Sequence, residues 1–346
     1  MILKENVKKI LIVKPRGIGD VVLSTIIIDS ILNNFPNAIL DFATEKPSNI
    51  LLENDSRLNK IIIIKNKTVL QRIKFFFKIR KKKYDFVFDF YSTPTTAQLA
   101  FISGAKYRAG FPFRGRKYAY NILGPSRTDN IHAADLHLSF LKYIGLGVIQ
   151  SNPQIFLAKT DLEFAKTFFN SVKINNKIVV TFSPSGGWNS KKCPPEIFAK
   201  FIDIIKNNFN VEILLVWGPG DEEDVDEIIN LAKTKIIKAP NTTISEMAAL
   251  LKFSTIVVAN DSGPMHIASV LGTPTISIHG PTNPELQGPY GNKHETILLN
   301  DINCIVCNLL ECPNNKICFK NISSELFLNT FQRLIKKNGL SIVKKN

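Results

Sequence analysis

Short β-branched runs alternate with amphipathic stretches along almost the whole chain, and no other feature restricts the possible folds as tightly. Ile10–Val13, Ile39–Ala43 and Phe86–Phe90 read as strands, and Asp20 to Asn34, closed by Pro36, reads as a helix. Leu146 to Thr160, with Gly147 and Pro153, breaks the pattern. It resumes with Ile178–Phe182, Glu212–Trp217, Lys235–Lys238, Thr255–Ala259 and Thr275–Ile278 as strands. Such alternation predicts an α/β fold of mainly parallel, doubly wound sheets. The 346 residues suffice for two domains, each with its own core. The expected division is residues 1–150 and 151–322, two Rossmann-like domains facing one another across a cleft.

No apolar run approaches the roughly 18 residues that a membrane-spanning helix needs. Met1 to Lys9 leads into a short apolar run that stops at Lys14-Pro15-Arg16, too short for a secretory leader, so a cytoplasmic protein is expected. The net charge is +15, and it is unevenly placed. Residues 1–150 hold 24 Lys and Arg against 11 Asp and Glu, a net of +13, and residues 151–346 hold 20 against 18, a net of +2. The densest stretch runs from Lys65 to Lys83, with Phe75-Phe76-Phe77 inside it and Lys81-Lys82-Lys83 at its end; Arg114, Arg116 and Lys117 form a second cluster. A charge run by itself is a solvated helix face. A one-signed domain also attracts an anionic partner: nucleic acid, acidic lipid or a phosphorylated sugar.

Ligands of doubly wound sheets bind beyond the carboxyl ends of strands, so the loops there carry the functional reading. The first is Lys14-Pro15-Arg16-Gly17-Ile18-Gly19-Asp20. Gly17 and Gly19 allow a tight turn before a helix N-terminus that favours anions. A dinucleotide fingerprint, with Asp41 as its ribose acid, lacks its third glycine because position 22 is Val22. Asp20 either caps the helix or serves as a carboxylate that removes a proton from a hydroxyl. The second loop, Ser183 to Glu196, places Ser185, Gly186 and Gly187 before Lys191 and Lys192, and resembles a phosphate cradle without the Walker spacing. The third, Trp217 to Asp224, ends in acids that suit a helix start or the hydroxyls of a ribose.

The fourth loop is the most specific. Asn260-Asp261-Ser262-Gly263-Pro264-Met265-His266 opens a helix that Gly272 and Pro274 close, and Thr275 to Ile278 then leads to His279-Gly280-Pro281-Thr282. Capping rules account for the helix but not for His266, one turn inside an N-terminus suited to the oxygens of a diphosphate or a sugar.

Together these loops resemble glycosyltransferase family 9, the lipopolysaccharide heptosyltransferases of the GT-B fold. The resemblance runs from Ile10 to about Ile322, and is carried by Gly17-Ile18-Gly19-Asp20-Val21-Val22, by Trp217-Gly218 with Glu222, and by Asp261 to Ala268 with Gly272-Thr273-Pro274. It implies transfer of heptose from ADP-heptose to the inner core, with inversion and no required metal or cofactor. Asp20 corresponds to the base, Lys191 to the diphosphate lysine, and Glu222 to the ribose contact. Asp261, Ser262, Gly263, Pro264, Met265 and His266 correspond to the donor-binding helix start. The family commonly has Lys-x-Trp-Pro where this chain has Lys191-Lys192-Cys193-Pro194. An anionic glycolipid acceptor at the cytoplasmic face of the inner membrane would account for the basic first domain, with Gly17, Gly19, Lys81, Lys82 and Lys83 on the acceptor and membrane side. The terminal helix Ser324–Lys337 is expected to cross back to the first domain, as in this fold.

Cys304, Cys307, Cys312 and Cys318 fall within fifteen residues. In a cytoplasmic protein this favours thiol chemistry over disulfides. A structural zinc or iron–sulfur centre, reduced packing thiols and a redox pair all stay open, since the spacings do not match the usual two-knuckle zinc pattern. Two other classes compete with the enzyme reading. A nucleic-acid-binding protein leaves the four loops unexplained, and the basic residues form no recognisable binding module. A non-catalytic sugar- or lipid-binding protein has no need of Asp20. Within the enzyme class, the alternative is a family 9 transferase using another nucleotide sugar.

Overall fold

A computed structural model describes residues 3–65, 68–126 and 131–345. Asn66 and Lys67, inside the basic stretch, lie outside it. The chain divides into two compact units, residues 1–156 and 157–346. The first contains β1 (Lys9–Val13), β2 (Ile39–Thr44), β3 (Lys60–Ile63), β4 (Phe86–Asp89), β5 (Tyr107–Gly110) and β6 (Ile122–Leu123), and the second β7 (Val179–Ser183), β8 (Glu212–Leu215), β9 (Ile237–Lys238), β10 (Ile256–Asn260), β11 (Thr275–Ile278) and β12 (Glu295–Ile297). Each unit has one parallel sheet, in the orders β3-β2-β1-β4-β5-β6 and β12-β11-β10-β7-β8-β9. Counted within each unit these are the same order, that of a Rossmann sheet, whose winding reverses between β1 and β4 in one unit and between β7 and β10 in the other. The central strands are buried on both faces, which is why they read as continuous apolar runs.

The helix expected over 20–34 is broken into Ile18–Ser24, a 3₁₀ turn Thr25–Ile27, and Ile28–Asn34. Ser24 and Thr25 donate their hydroxyls to the carbonyls of Val21 and Val22, both at 2.7 Å, which competes with the regular helical ladder. The run Thr25-Ile26-Ile27-Ile28 is β-branched throughout and adds to the crowding.

The helix Ser324–Lys337 was expected on the first domain, but its apolar face is used in the second unit. Phe327, Phe331 and Leu334 are fully buried in that core, where Phe327 stacks on Phe201 at 3.9 Å and Phe331 meets Phe209 at 5.1 Å. Lys337 hydrogen-bonds the carbonyl of His294 at 2.9 Å, tying the helix end to the same unit. Truncating Phe327 to Ala should lower stability by about 3–5 kcal/mol, read as a reduced midpoint in urea unfolding; an unchanged midpoint would remove this helix from the core.

Three histidines are buried in neutral form. Burial holds His137 down at about 3, and His279 and His294 at about 4. In the unfolded chain each protonates near pH 6.5. Below that pH the unfolded state binds more protons than the folded one, so stability falls as pH drops from about 7 toward 4, by about 1.4 kcal/mol per pH unit per histidine. Urea titrations at pH 7.5 and 5.5 should show the loss, and His279→Gln should reduce its slope.

Candidate active site

In the first unit, the loop after β1 and the loop after β4 meet where the winding reverses. Gly17 sits at φ 83°, and a Cβ there would lie 2.4 Å from Asp20 Oδ2, so the position admits only glycine without displacing that carboxylate. Asp20, in the first turn of Ile18–Ser24, lies 3.2 Å from the ammonium of Lys14. Lys14 is only 6 % exposed and its ammonium also lies over the Tyr91 ring.

Tyr91 is placed by Asp89 at the end of β4. The buried Asp89 carboxylate accepts the N–H groups of Tyr91 and Ser92 and the hydroxyl of Tyr120, at 3.0, 2.8 and 2.7 Å. Burial outweighs these bonds and raises its pKa. The carbonyl of Ser92 accepts from Arg116 at 3.1 Å. Lys14, Asp20, Tyr91, Arg116 and His137 thus line one cavity of about 390 Å³. Among the described residues, His137 Nδ1 is buried there without a hydrogen-bond partner. The site joins a carboxylate able to take a proton, two cations and a neutral imidazole, a set suited to a hydroxyl-bearing ligand with anionic groups.

In the second unit, the corresponding loops follow β7 and β10. Asn260, fully buried at the end of β10, donates to the Pro184 carbonyl at 2.7 Å and accepts the Cys193 N–H at 3.3 Å, fixing both ends of the loop between them. That loop presents Lys191, whose ammonium lies 2.7 Å from Asp261 Oδ2 and 4.3 Å from the centre of the Trp188 ring. Asp261 also accepts the Thr282 hydroxyl at 2.7 Å and lies 3.9 Å from His266. His279 spans Ser277 and Thr282, at 2.9 and 3.2 Å. Burial alone would raise Asp261, but the Lys191 ammonium bonded to it holds it below the usual carboxylate range. The helix Gly263–Val270 begins beside this pair, and its first internal bond of the i→i−4 kind is His266 N–H to the Ser262 carbonyl at 3.3 Å. Pro264 has no N–H, so Gly263 and Met265 supply the donors of the first turn, and these with the helix dipole and Lys191 form an anion-binding arrangement.

The loop after β8 joins this site through its acids. Asp221 accepts the Ser185 hydroxyl at 2.6 Å and pairs with Lys192 at 2.9 Å, and Lys192 reaches Asp224 at 2.6 Å. Glu222 is exposed at the first turn of Glu222–Leu231. Lys14, Asp221, Asn260, His279 and Thr282 stand in the loops read from the sequence, but nothing local shows what they bind, and no sequence signal marks His137.

Lys81, Lys82 and Lys83 lie elsewhere. Lys81 ends the helix Val69–Lys81, and Lys82 and Lys83 lead on to the amino end of β4, at the end of the strands opposite Asp20. Lys82 is 3.8 Å from Asp41, which pairs with Leu11 and Lys60 near the starts of their strands. Burial, with Lys9, Lys60 and Lys78 nearby, lowers the Lys82 pKa against the opposing pull of Asp41. The basic residue that does line the Asp20 cavity is Arg116, beside Lys14.

Cys304, Cys307, Cys312 and Cys318 line one small cavity of about 20 Å³. Burial, then Cys312 and Cys304, push the Cys318 thiol up to about 11. Among the described residues, no three His, Cys, Asp or Glu side chains stand close enough to hold a metal ion. The segment has another contact. Ser190 donates its N–H to the Leu310 carbonyl at 3.1 Å and its hydroxyl to that of Leu309, while Asn189 bonds Glu311 at 2.6 Å and Lys316 at 3.0 Å. The cysteine-rich segment therefore braces the turn that carries Lys191.

Known proteins resemble this chain in sequence and in fold. A lipooligosaccharide heptosyltransferase 2 of Campylobacter jejuni is 27% identical over 96% of this chain and 100% of its own length. A family 9 glycosyl transferase of Veillonella parvula superposes with a TM-score of 0.85 at 21% identity, over 97% of this chain and 99% of that one. The ADP-heptose lps heptosyltransferase II of Escherichia coli gives 0.78 at 19% identity, over 96% and 99%. The sequence profile of glycosyltransferase family 9 (heptosyltransferase) matches residues 72–318, most of the chain. The two Rossmann units are those of the GT-B fold, and the chain is a glycosyltransferase belonging to family 9, the heptosyltransferases.

Proposed function

We propose that this enzyme transfers heptose from ADP-heptose to the inner core of lipopolysaccharide, with inversion and without a divalent cation, at the cytoplasmic face of the inner membrane. The observation that carries the reading is Asp20, set against Lys14 at the edge of a cavity that also holds Arg116 and a neutral His137. Similarity to lipooligosaccharide and lipopolysaccharide heptosyltransferases supports the substrate class.

Each unit supplies half of the reaction. In the first, Asp20 takes the proton of an acceptor hydroxyl as its oxygen attacks the anomeric carbon of the donor sugar. Lys14 and Arg116 hold the anionic groups of the acceptor. In the second, the bond from that carbon to the diphosphate breaks and its electron pair passes to the departing phosphate oxygen. Lys191 and the N–H groups of Gly263 and Met265 stabilise the charge that grows there, the task a metal ion performs in other transferases. Asp261 anchors Lys191, Ser185 and Asp221 shape the loop behind it, and Glu222 takes the ribose.

Asp20→Asn should reduce transfer by about 10² to 10⁴ while leaving ADP affinity near that of the parent enzyme. Undiminished turnover would dismiss Asp20 as the base. A donor panel should show turnover with ADP-heptose that persists in excess chelator and exceeds that with ADP-, GDP- and UDP-hexoses. Preference for a hexose donor would instead assign a different surface glycan.

A further inference from the structure

The helix Val69–Lys81 has two apolar faces. Phe75, Phe76 and Ile79 are buried against the first unit's sheet, as a surface helix requires. On the other side Leu70, Ile73 and Phe77 are 62 %, 45 % and 57 % exposed, at i, i+3 and i+7 on one stripe. Lys74, Lys78 and Lys81 lie interleaved along the same exposed stripe, and the helix contains no acidic residue. The stripe continues onto neighbouring elements. Arg80 donates to the Ile102 carbonyl at 3.0 Å, joining this helix to Pro94–Ser103. There Phe101, 51 % exposed, meets Tyr118, 56 % exposed, edge to face at 5.7 Å.

We propose that this surface docks the enzyme on an anionic lipid bilayer, with Leu70, Ile73 and Phe77 entering the headgroup boundary and Lys74, Lys78 and Lys81 meeting acidic headgroups. The charge argues for this occupant: a purely basic helix with an apolar stripe is the composition of an interfacial helix, and lysine stems lie along the apolar boundary while their ammonium groups stay among headgroups. Of the three consecutive lysines at the helix end, Lys82 is committed to Asp41, so Lys81 is the one that extends the stripe. The surface is also linked to the chemistry. Tyr118 follows a segment in which Phe111, Phe113 and Arg116 line the Asp20 cavity, so one loop joins the docking surface to the cavity in which the acceptor would react. This last step rests on the transferase reading; the docking does not.

The test uses the full-length enzyme and its variants L70S/I73S/F77S and K74E/K78E/K81E, sedimented with vesicles of neutral phosphatidylcholine or with a third of anionic phosphatidylglycerol. The parent should bind anionic vesicles at least tenfold more tightly than neutral ones, and each variant should lose at least tenfold. Both variants should keep the parent's affinity for ADP, which reports an intact second unit, and an unchanged urea midpoint, which reports an intact first. Transfer to a vesicle-embedded acceptor should fall in both variants, while transfer to a deacylated acceptor stays unchanged. Equal binding to both vesicle types, or variants that bind like the parent, overturns the docking. So does a concentration-dependent dimer that the F77S variant abolishes, or RNA that competes the enzyme off vesicles at equal charge. Vesicle binding lost in the variants with no turnover on any donor keeps the docking and overturns the transferase reading instead.

Discussion

A parallel sheet wound in both directions leaves a gap where its crossovers diverge, and the rest of this molecule follows from having two such gaps. At each one, neighbouring strands send their loops to opposite faces, so the space between is reached from two sides and backbone N–H groups are left facing it. In the first unit the gap between β1 and β4 brings Gly17–Asp20 to Tyr91. In the second, the gap between β7 and β10 brings Lys191 to Asp261. The two units share a strand order and differ in what they place at the gap: an exposed carboxylate on a buried lysine in one, a partly buried lysine on a buried carboxylate in the other.

That inversion has an electrostatic logic. Asp261 is almost wholly buried, and a carboxylate there is costly unless its oxygens are matched. Lys191 and Thr282 satisfy one oxygen, and Thr282 is in turn held by His279, whose ring stays neutral because it too is buried. The lysine therefore stands in a fixed place while the pair adds little net charge, and much of the attraction for an anion comes from the oriented amides of the following helix. Asp20 is the reverse case. It is half exposed beside a buried ammonium, so it is oriented without being withdrawn from solvent.

The fold was legible because alternation of apolar runs is a local property, and the central strands show it without interruption. The loops were legible for the same reason: Gly17, Gly263-Pro264 and Gly272 are demands of backbone conformation written at the place where they act. What escaped depends on pairing across the sheet. Asn260 stands out only once Pro184 and Cys193, 76 and 67 residues away, are seen to need its amide. His279 and Thr282 gain meaning from Asp261, and His137 from its burial beside Lys14. Linear charge density misled for a related reason. It ranked Lys81, Lys82 and Lys83 above Arg116, but density along the chain carries no information about which edge of a sheet a helix end reaches. The terminal helix follows the same rule: its amphipathic face was visible, and the core it completes was not.

The brace between the Lys191 turn and the cysteine-rich segment joins positions 119 to 127 residues apart. Neither piece has much regular structure of its own: the turn is three residues of 3₁₀ helix, and the segment bends through four left-handed positions at Val306, Asn308, Asn315 and Lys316. Two irregular segments that shape one another cannot drift independently. An insertion between Leu309 and Lys316 displaces the groups that hold Asn189 and Ser190, and the position of Lys191 is in that sense set by a stretch of chain more than a hundred residues away.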